Sequence, residues 1–336
     1  MDRMKPVLIL GGTGQAGRDT AEMLRTWHPE LPLAIAGRDI DRARRVADGL
    51  GGATATTVDL QRADLGLPAG GHSAVVAALW DSRHTGLRYA QDQGIPYVSI
   101  SSGYLDVAPE IVVAAQRPGA APVLLASHFC TGTVVLAVAH LARELARVDA
   151  VRVGAIMDEE DSGGPAGLAD LERWATVTSA GLQRRDGVFT WVDETAVQVP
   201  ASDGVLVDGA SVAVLDVPSI AAATGAPDVR VDLAIGESAG RRAGGAPSVE
   251  VLVEIDGVDA AGQPRRISRY LVHRAGQRPL TALGIALGVE RLIGLQGDPV
   301  GPGIHMPESL IDPAHAAARL AGVGAEFVDV PALTAR

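Results

Sequence analysis

Residues Val7 to Leu10 form a short apolar run that ends in glycines spaced Gly12-x-Gly14-x-x-Gly17, and a helix-periodic stretch, Arg18–Trp27, follows at once. Strand, glycine turn and helix in that order open a βαβ unit, which constrains the fold more than anything else in the chain. Each glycine serves a physical need. Gly12 permits the tight turn, Gly14 lets backbone approach a pyrophosphate, and Gly17 allows close contact of helix and strand. The helix points its free N–H groups and dipole at the phosphates. Gly12, Thr13, Gly14, Gln15, Ala16 and Gly17 are therefore the expected dinucleotide loop. The spacing alone is weak evidence, but a second apolar run ends in Ala36-Gly37-Arg38-Asp39, about twenty residues beyond the loop, where the adenosine ribose of such a site lies.

That second strand end selects the cofactor. A carboxylate there grips the ribose 2′-hydroxyl of NAD, whereas an arginine accommodates the 2′-phosphate of NADP. Gly37 leaves room and Arg38 offers a planar, permanently charged fork, so NADP (NADPH) is expected. Asp39 is the competing ribose partner, and Arg38 as a solvated surface residue is the plain alternative. Asp59 and Leu60, after a third strand, are placed by the adenine. Ala78 and Trp80, ending "VVAALW", are placed along the nicotinamide ribose, against the commoner case of a core or interface tryptophan.

From residue 7 to about 125, short apolar runs alternate with helical stretches, the mark of parallel strands joined by right-handed crossovers. Strands are read at Val7–Leu10, Leu33–Ala36, Ala55–Val58, Ala74–Ala78, Tyr97–Ile100 and Pro122–Ala126. Helices are read at Arg18–Trp27, Asp41–Leu50, His84–Gln93 and Ala108–Ala115. Beyond residue 130 come a helix (Val134–Leu145), a strand (Val151–Met157) and a helix over 167–182. Strands follow at Val188–Val192, Val212–Val217, Val229–Ile235, Val249–Ile255 and Ser268–His273. Helices over Pro279–Ile293 and Pro313–Ala321 flank a Gly/Pro linker at 297–303. The fold class is α/β: a Rossmann doubly wound parallel sheet over 1–127, a sheet-rich α+β substrate and dimerisation domain over 128–299, and a segment, 300–336, returning to the first domain.

Composition narrows the partners. The chain of 336 residues carries a net charge of −11, which gives no footprint for nucleic acid or an anionic membrane. Its apolar runs fall short of the ~18 residues of a membrane span, and the start lacks a signal-peptide core. Cys130 is the single cysteine, so there is no disulfide within the chain and no CxxC metal site. A cytoplasmic, bacterial homodimer is expected, the source being read from alanine-, glycine- and arginine-rich, lysine-poor usage.

Lys5 is the only lysine. This excludes the Tyr-x-x-x-Lys chemistry of short-chain dehydrogenases, though not a catalytically silent NADP-binding regulator. The pieces "VLILGGTGQAG…AIAGRD…RARRVA", "HTGLRYAQDQGIPYVSISSGYLD", "SGGPAG" and "TALGIALGVERLIG…GPGIHMPESLIDPAHAAARL", in that order, resemble the saccharopine dehydrogenase family over nearly the full chain. The resemblance implies a nucleotide domain built from both chain ends around a substrate domain. It implies an oxidoreductase acting on a C–N bond, reducing an imine or oxidising an amine, with an amino-acid-like or polyamine-like substrate. One departure stands out: where saccharopine reductases carry Asp-Pro-Gly, this chain reads Cys130-Thr131-Gly132.

Tyr104 matches the tyrosine of the family's Ser-Ser-Tyr and follows the fifth strand, where a doubly wound sheet opens its crevice. A packed tyrosine with its hydroxyl in solvent is equally compatible with the sequence. His128, after the sixth strand, is the candidate general acid or a structural histidine. Cys130 is a candidate site residue or a small buried packer. These three are expected around one cleft. Arg265, Arg266 and Arg269 read as solvated arginines on a strand, or as a carboxylate clamp. Asp158 to Asp161 read as a solvated loop, and no metal site is expected. An enoyl reductase on a lipid-like substrate is a third possibility for the same fold.

Overall fold

The computed structural model describes residues 5–100, 104–161, 169, 172, 180–193 and 195–330. The chain divides into two compact units, Met1–Ser127 with Thr281–Ile311, and His128–Leu280 with Asp312–Arg336.

The first unit is built on strands β1 (Val7–Leu10), β2 (Leu33–Gly37), β3 (Ala53–Thr57), β4 (Ala74–Ala77), β5 (Tyr97–Ser99) and β6 (Pro122–Leu125). Its helices are α1 (Gln15–Trp27), α2 (Ile40–Leu50), α3 (Thr85–Gln93) and α4 (Tyr104–Ala115). The strands pair in parallel in the order β6-β5-β4-β1-β2-β3, with the strand Gly303–His305 added beyond β6. This is the doubly wound arrangement expected. β1, β4 and β6 are buried at every residue, as parallel strands covered on both faces must be.

The core between sheet and helices gathers Val7, Ile9, Leu24, Leu33, Ile35, Val76, Val98 and Leu124. Ile285, Ala286, Val289 and Leu292, one face of the helix Arg278–Leu292, join it. The approach is close at Gly288, where a Cβ would stand 2.7 Å from Leu124 Cδ2 and the leucine side chain would have to shift. The helix passes from one unit to the other, so the chain re-enters the first unit at Thr281, earlier than the boundary at 299 read from the Gly/Pro linker. Periodic apolar residues, rather than the linker, decide where it docks.

The second unit contains α5 (Thr133–Ala142), β7 (Arg147–Asp158), β8 (Gly181–Arg185), β9 (Val188–Val192), β10 (Ala196–Pro200), β11 (Leu206–Ser211), β12 (Asp228–Gly236), β13 (Val249–Val258) and β14 (Pro264–His273). They form a mixed sheet, order β10-β11-β12-β7-β13-β14, with Ala325–Asp329 at the far edge and β8–β9 attached to β12. Only β12 and β7 run parallel among these pairs.

Three expectations change here. Only part of 300–336 joins the first unit: Gly303–His305 pairs with β6, but Ala325–Asp329 pairs antiparallel with β14. His273 also bonds the Val323 carbonyl at 3.0 Å. Val212–Val217 is not a strand; Asp216 opens the helix Asp216–Thr224, with Pro218 in its first turn, where the missing N–H costs nothing. The helix expected over 167–182 lies mostly outside the described residues, and Gly181 and Leu182 belong to β8. Among the described residues, no helix is long and apolar enough to cross a membrane.

Candidate functional site

In the loop between β1 and α1, the left-handed residue is Gly11, at φ +76°. The tight turn assigned to Gly12 is thus made one residue earlier and closed by the Gly14 N–H on the Gly11 carbonyl, 2.8 Å. Gly12 is required for space: a Cβ would lie 2.9 Å from the Ile9 carbonyl oxygen and 3.0 Å from Ile35 Cγ2. At Gly17 it would lie 2.5 Å from the Gly11 oxygen. Gly14 is the N-cap of α1, no side chain caps the helix, and its first turn carries no acid. Gln15, Ala16 and Gly17 in that turn therefore present backbone N–H groups to an anion. Ala78 floors the loop, its N–H donating to the Leu10 carbonyl at 3.0 Å and its oxygen 2.6 Å from a Cβ on Gly11. A pyrophosphate fits a cradle of this kind.

Thr13 leans from the loop onto the end of β2, where a Cβ on Gly37 would meet its Cγ2 at 3.1 Å. Arg38 follows, exposed. Asp39, the alternative ribose partner, is the N-cap of α2: its Oδ1 accepts the Asp41 N–H at 2.9 Å and the Arg42 N–H at 3.0 Å. The Arg42 N–H holds that carboxyl below its ordinary pKa. Asp59 closes a turn by accepting the Gln61 N–H at 2.8 Å, and the Leu60 carbonyl accepts the Thr85 hydroxyl at 2.8 Å. Both lie just past β3, and Leu60 is tied to the start of α3.

The C-terminal ends of β4 and β5 hold a group that the sequence reading missed. Glu110 of α4 is buried. It accepts the Tyr97 hydroxyl at 3.0 Å on one oxygen and the Ser99 hydroxyl at 2.9 Å on the other. Asp81, also buried, accepts the Gly86 N–H at 2.7 Å. Burial, and then the Glu110 and Asp81 carboxylates, push the Tyr97 phenol well above its ordinary pKa. These residues line a small cavity with His84 and the half-exposed Trp80. The signal in the sequence was a glutamate inside the apolar run "VAPEIVVAA". Tyr104 begins α4, but its side chain lies outside the described residues.

His128 and Cys130 belong to the second unit. His128 is buried, with Nε2 hydrogen-bonded to Ser219 Oγ at 2.8 Å. Burial pulls its pKa down to about 3. The ring is neutral at pH 7, so the general-acid role does not fit this environment. Cys130 is also buried, and burial, followed by Asp216 and Asp161, pushes its thiol pKa up. It is a thiol rather than a nucleophilic thiolate. Cys130, Thr131 and Gly132 adopt φ +47°, +58° and +82° in succession, which costs about 1–2 kcal/mol for each non-glycine residue. The turn is held by the Phe129 N–H on Asp216 Oδ2, 2.8 Å, and the Thr133 hydroxyl on the Cys130 carbonyl, 2.9 Å.

The remaining charged candidates are occupied. Arg265 pairs with Glu144, Arg266 with Glu254, and Arg269 with Asp329 at 2.9 Å. Asp158 is not solvated as read: it is buried, takes the Ser238 N–H at 2.8 Å and pairs with Arg241, which also binds Glu159 and Glu160. Among the described residues, no group of three or more His, Cys, Asp or Glu is placed to hold a metal ion.

No protein-family model matches the chain, and no curated protein matches it in sequence. Solved structures do. Apo saccharopine dehydrogenase (L-Glu forming) from Saccharomyces cerevisiae superposes with a TM-score of 0.68 at 14% identity, over 97% of this chain and 99% of that one. Scyllo-inositol dehydrogenase from Lactobacillus casei with bound NAD(H) and scyllo-inositol gives 0.51 at 14% identity, over 95% and 96%. GenD2 from gentamicin A biosynthesis in complex with NAD gives 0.50 at 16%, over 99% and 98%. The likeness establishes the fold, a Rossmann sheet followed by a mixed-sheet unit.

Proposed function

We propose that this protein is an NADP-dependent oxidoreductase acting on a C–N bond, reducing an imine or oxidising an amine of amino-acid-like or polyamine-like character. The observation that carries the cofactor reading is the loop from Gly11 to Gly17, uncapped at α1 and adjoining Gly37 and Arg38. The C–N chemistry rests on the ordered sequence pieces shared with the saccharopine dehydrogenase family, and the likeness to the yeast enzyme supports it.

The dinucleotide, when bound, supplies hydride to the substrate carbon or accepts it from there. The first-turn N–H groups of α1 hold its pyrophosphate, and Ala78 keeps the floor of the loop closed. Arg38 takes the 2′-phosphate. A protonated iminium is already electrophilic, so placing it against the nicotinamide provides much of the rate without a strong acid. That agrees with a His128 held neutral and a Cys130 held as thiol.

The same burial favours a second reading, an NADP-binding regulator without turnover. Incubation with NADPH and pairs of keto acids and amines, following absorbance at the nicotinamide band, separates the two. Consumption that requires both members of a pair supports the enzyme. Tight NADPH binding without consumption across the pairs supports the regulator.

A further inference from the structure

Behind Arg38, α2 turns two further arginines toward α1. Arg42 and Arg45 sit one helical turn apart and line a groove of about 430 Å³ with Thr13, Arg18, Glu22, Val46 and Leu50. The acids nearest the groove are already engaged. Glu22 pairs with Arg18 at 3.5 Å, and Asp39 spends its carboxylate on the α2 N–H groups. Asp41 faces away and pairs with Arg44 at 3.0 Å. Arg42 and Arg45 themselves form no ion pair with a described residue. In a chain of net charge −11, two guanidinium groups on one groove wall, both in electrostatic reach of the single Asp39 carboxylate, leave that wall net positive and attract a compact anion. The groove begins at Thr13, whose side chain lies against Gly37, the residue beside which the adenosine ribose sits.

We infer that Arg42 and Arg45 form the specificity-determining grip on a phosphate monoester at the ribose 2′ position, with Arg38 at its solvent side. This rests on the dinucleotide reading above and extends it. The planar forks take the phosphate oxygens, and the N-cap role of Asp39 holds the start of α2, and with it both arginines, in place. A cofactor without the 2′-phosphate leaves both forks empty and gains nothing from them.

The test is calorimetric titration of the full chain with NADPH, NADH, 2′,5′-ADP and 5′-AMP. It is run on wild type, Arg42→Ala, Arg45→Ala, the double variant and Arg44→Ala. A charge-assisted hydrogen bond is worth about tenfold or more in affinity. Each single alanine variant should lose about that factor for NADPH and 2′,5′-ADP, and the double variant more. NADH and 5′-AMP should be unchanged, which also shows that the site is folded, and Arg44→Ala should match wild type. An unchanged NADPH affinity in the double variant, or an equal loss for NADPH and NADH, overturns the inference and leaves the dinucleotide reading standing. A wild type that binds neither NADPH nor NADH overturns both.

Discussion

Thr13 fills the space beside Gly37: a Cβ built on Gly37 would stand 3.1 Å from Thr13 Cγ2 and 3.3 Å from its hydroxyl oxygen. The contact ties the phosphate loop to the end of β2, so that whatever the loop holds is presented to the residues after Gly37. The first of these, Arg38, is exposed. Arg38→Ser should weaken NADPH binding by about ten- to hundredfold, the value of a charge-assisted hydrogen bond of about 1.5–3 kcal/mol. NADH should be nearly untouched. Titrating both cofactors against the variant checks it; equal losses would show that Arg38 is not a phosphate ligand.

Gly17→Val tests the loop itself. With the Gly11 oxygen only 2.5 Å from a Cβ and Gly12 Cα 2.9 Å away, backbone must move. Overpacking of this kind costs about 1–3 kcal/mol. Both NADPH and NADH affinity should collapse, because the displaced N–H groups serve the pyrophosphate common to the two. Retained binding of either cofactor, measured alongside a urea melt, would place the phosphates elsewhere.

His128 sets an acid limit on stability. Its imidazole titrates near 6.5 when unfolded and at about 3 when folded. Below about pH 6.5 the unfolded chain binds a proton that the folded chain refuses. Stability from this residue is therefore complete above 6.5 and falls as the pH drops toward 3, by about 2 kcal/mol at pH 5. Denaturant unfolding at pH 7.5 and pH 5 should show wild type losing about that much more than His128→Gln. Identical losses would mean that the folded histidine protonates freely.

Glu110 holds two buried hydroxyls, so Glu110→Ala strands Tyr97 and Ser99 together. Each unsatisfied group costs about 1–3 kcal/mol, and adding Tyr97→Phe to the variant should recover part of the loss. Thermal or urea melts of the four members of that cycle report the coupling. A cost well below about 1 kcal/mol for Glu110→Ala would show that water replaces the carboxylate.

The first unit was largely legible because parallel strands covered on both faces are uninterrupted apolar runs. β1, β4 and β6 could hardly read otherwise. The second sheet was less so. β10 and β11 are half-exposed, and the one alternation they show, Val197-Gln198-Val199, is cut short by Pro200 and followed by Asp208 and Gly209. The valine-rich run before Asp216 imitated a strand until Pro218 and Gly225 bounded a helix. In the site, Asp39 showed a capping signal, an aspartate before a helix-periodic stretch, yet its position at the end of β2 suited a ribose ligand equally. Arg42 and Arg45 carried only their three-residue spacing. The partners of this turn, Ser219 for His128 and Asp216 for the Phe129 N–H, lie some ninety residues on, which no local pattern reveals.

Equilibrium titration of the wild-type protein with NADPH and NADH side by side bears most directly on the NADP reading. Saturable binding of one NADPH per chain is expected, with NADH weaker by about tenfold or more. Absence of binding by either nucleotide, or a preference for NADH, would contradict it.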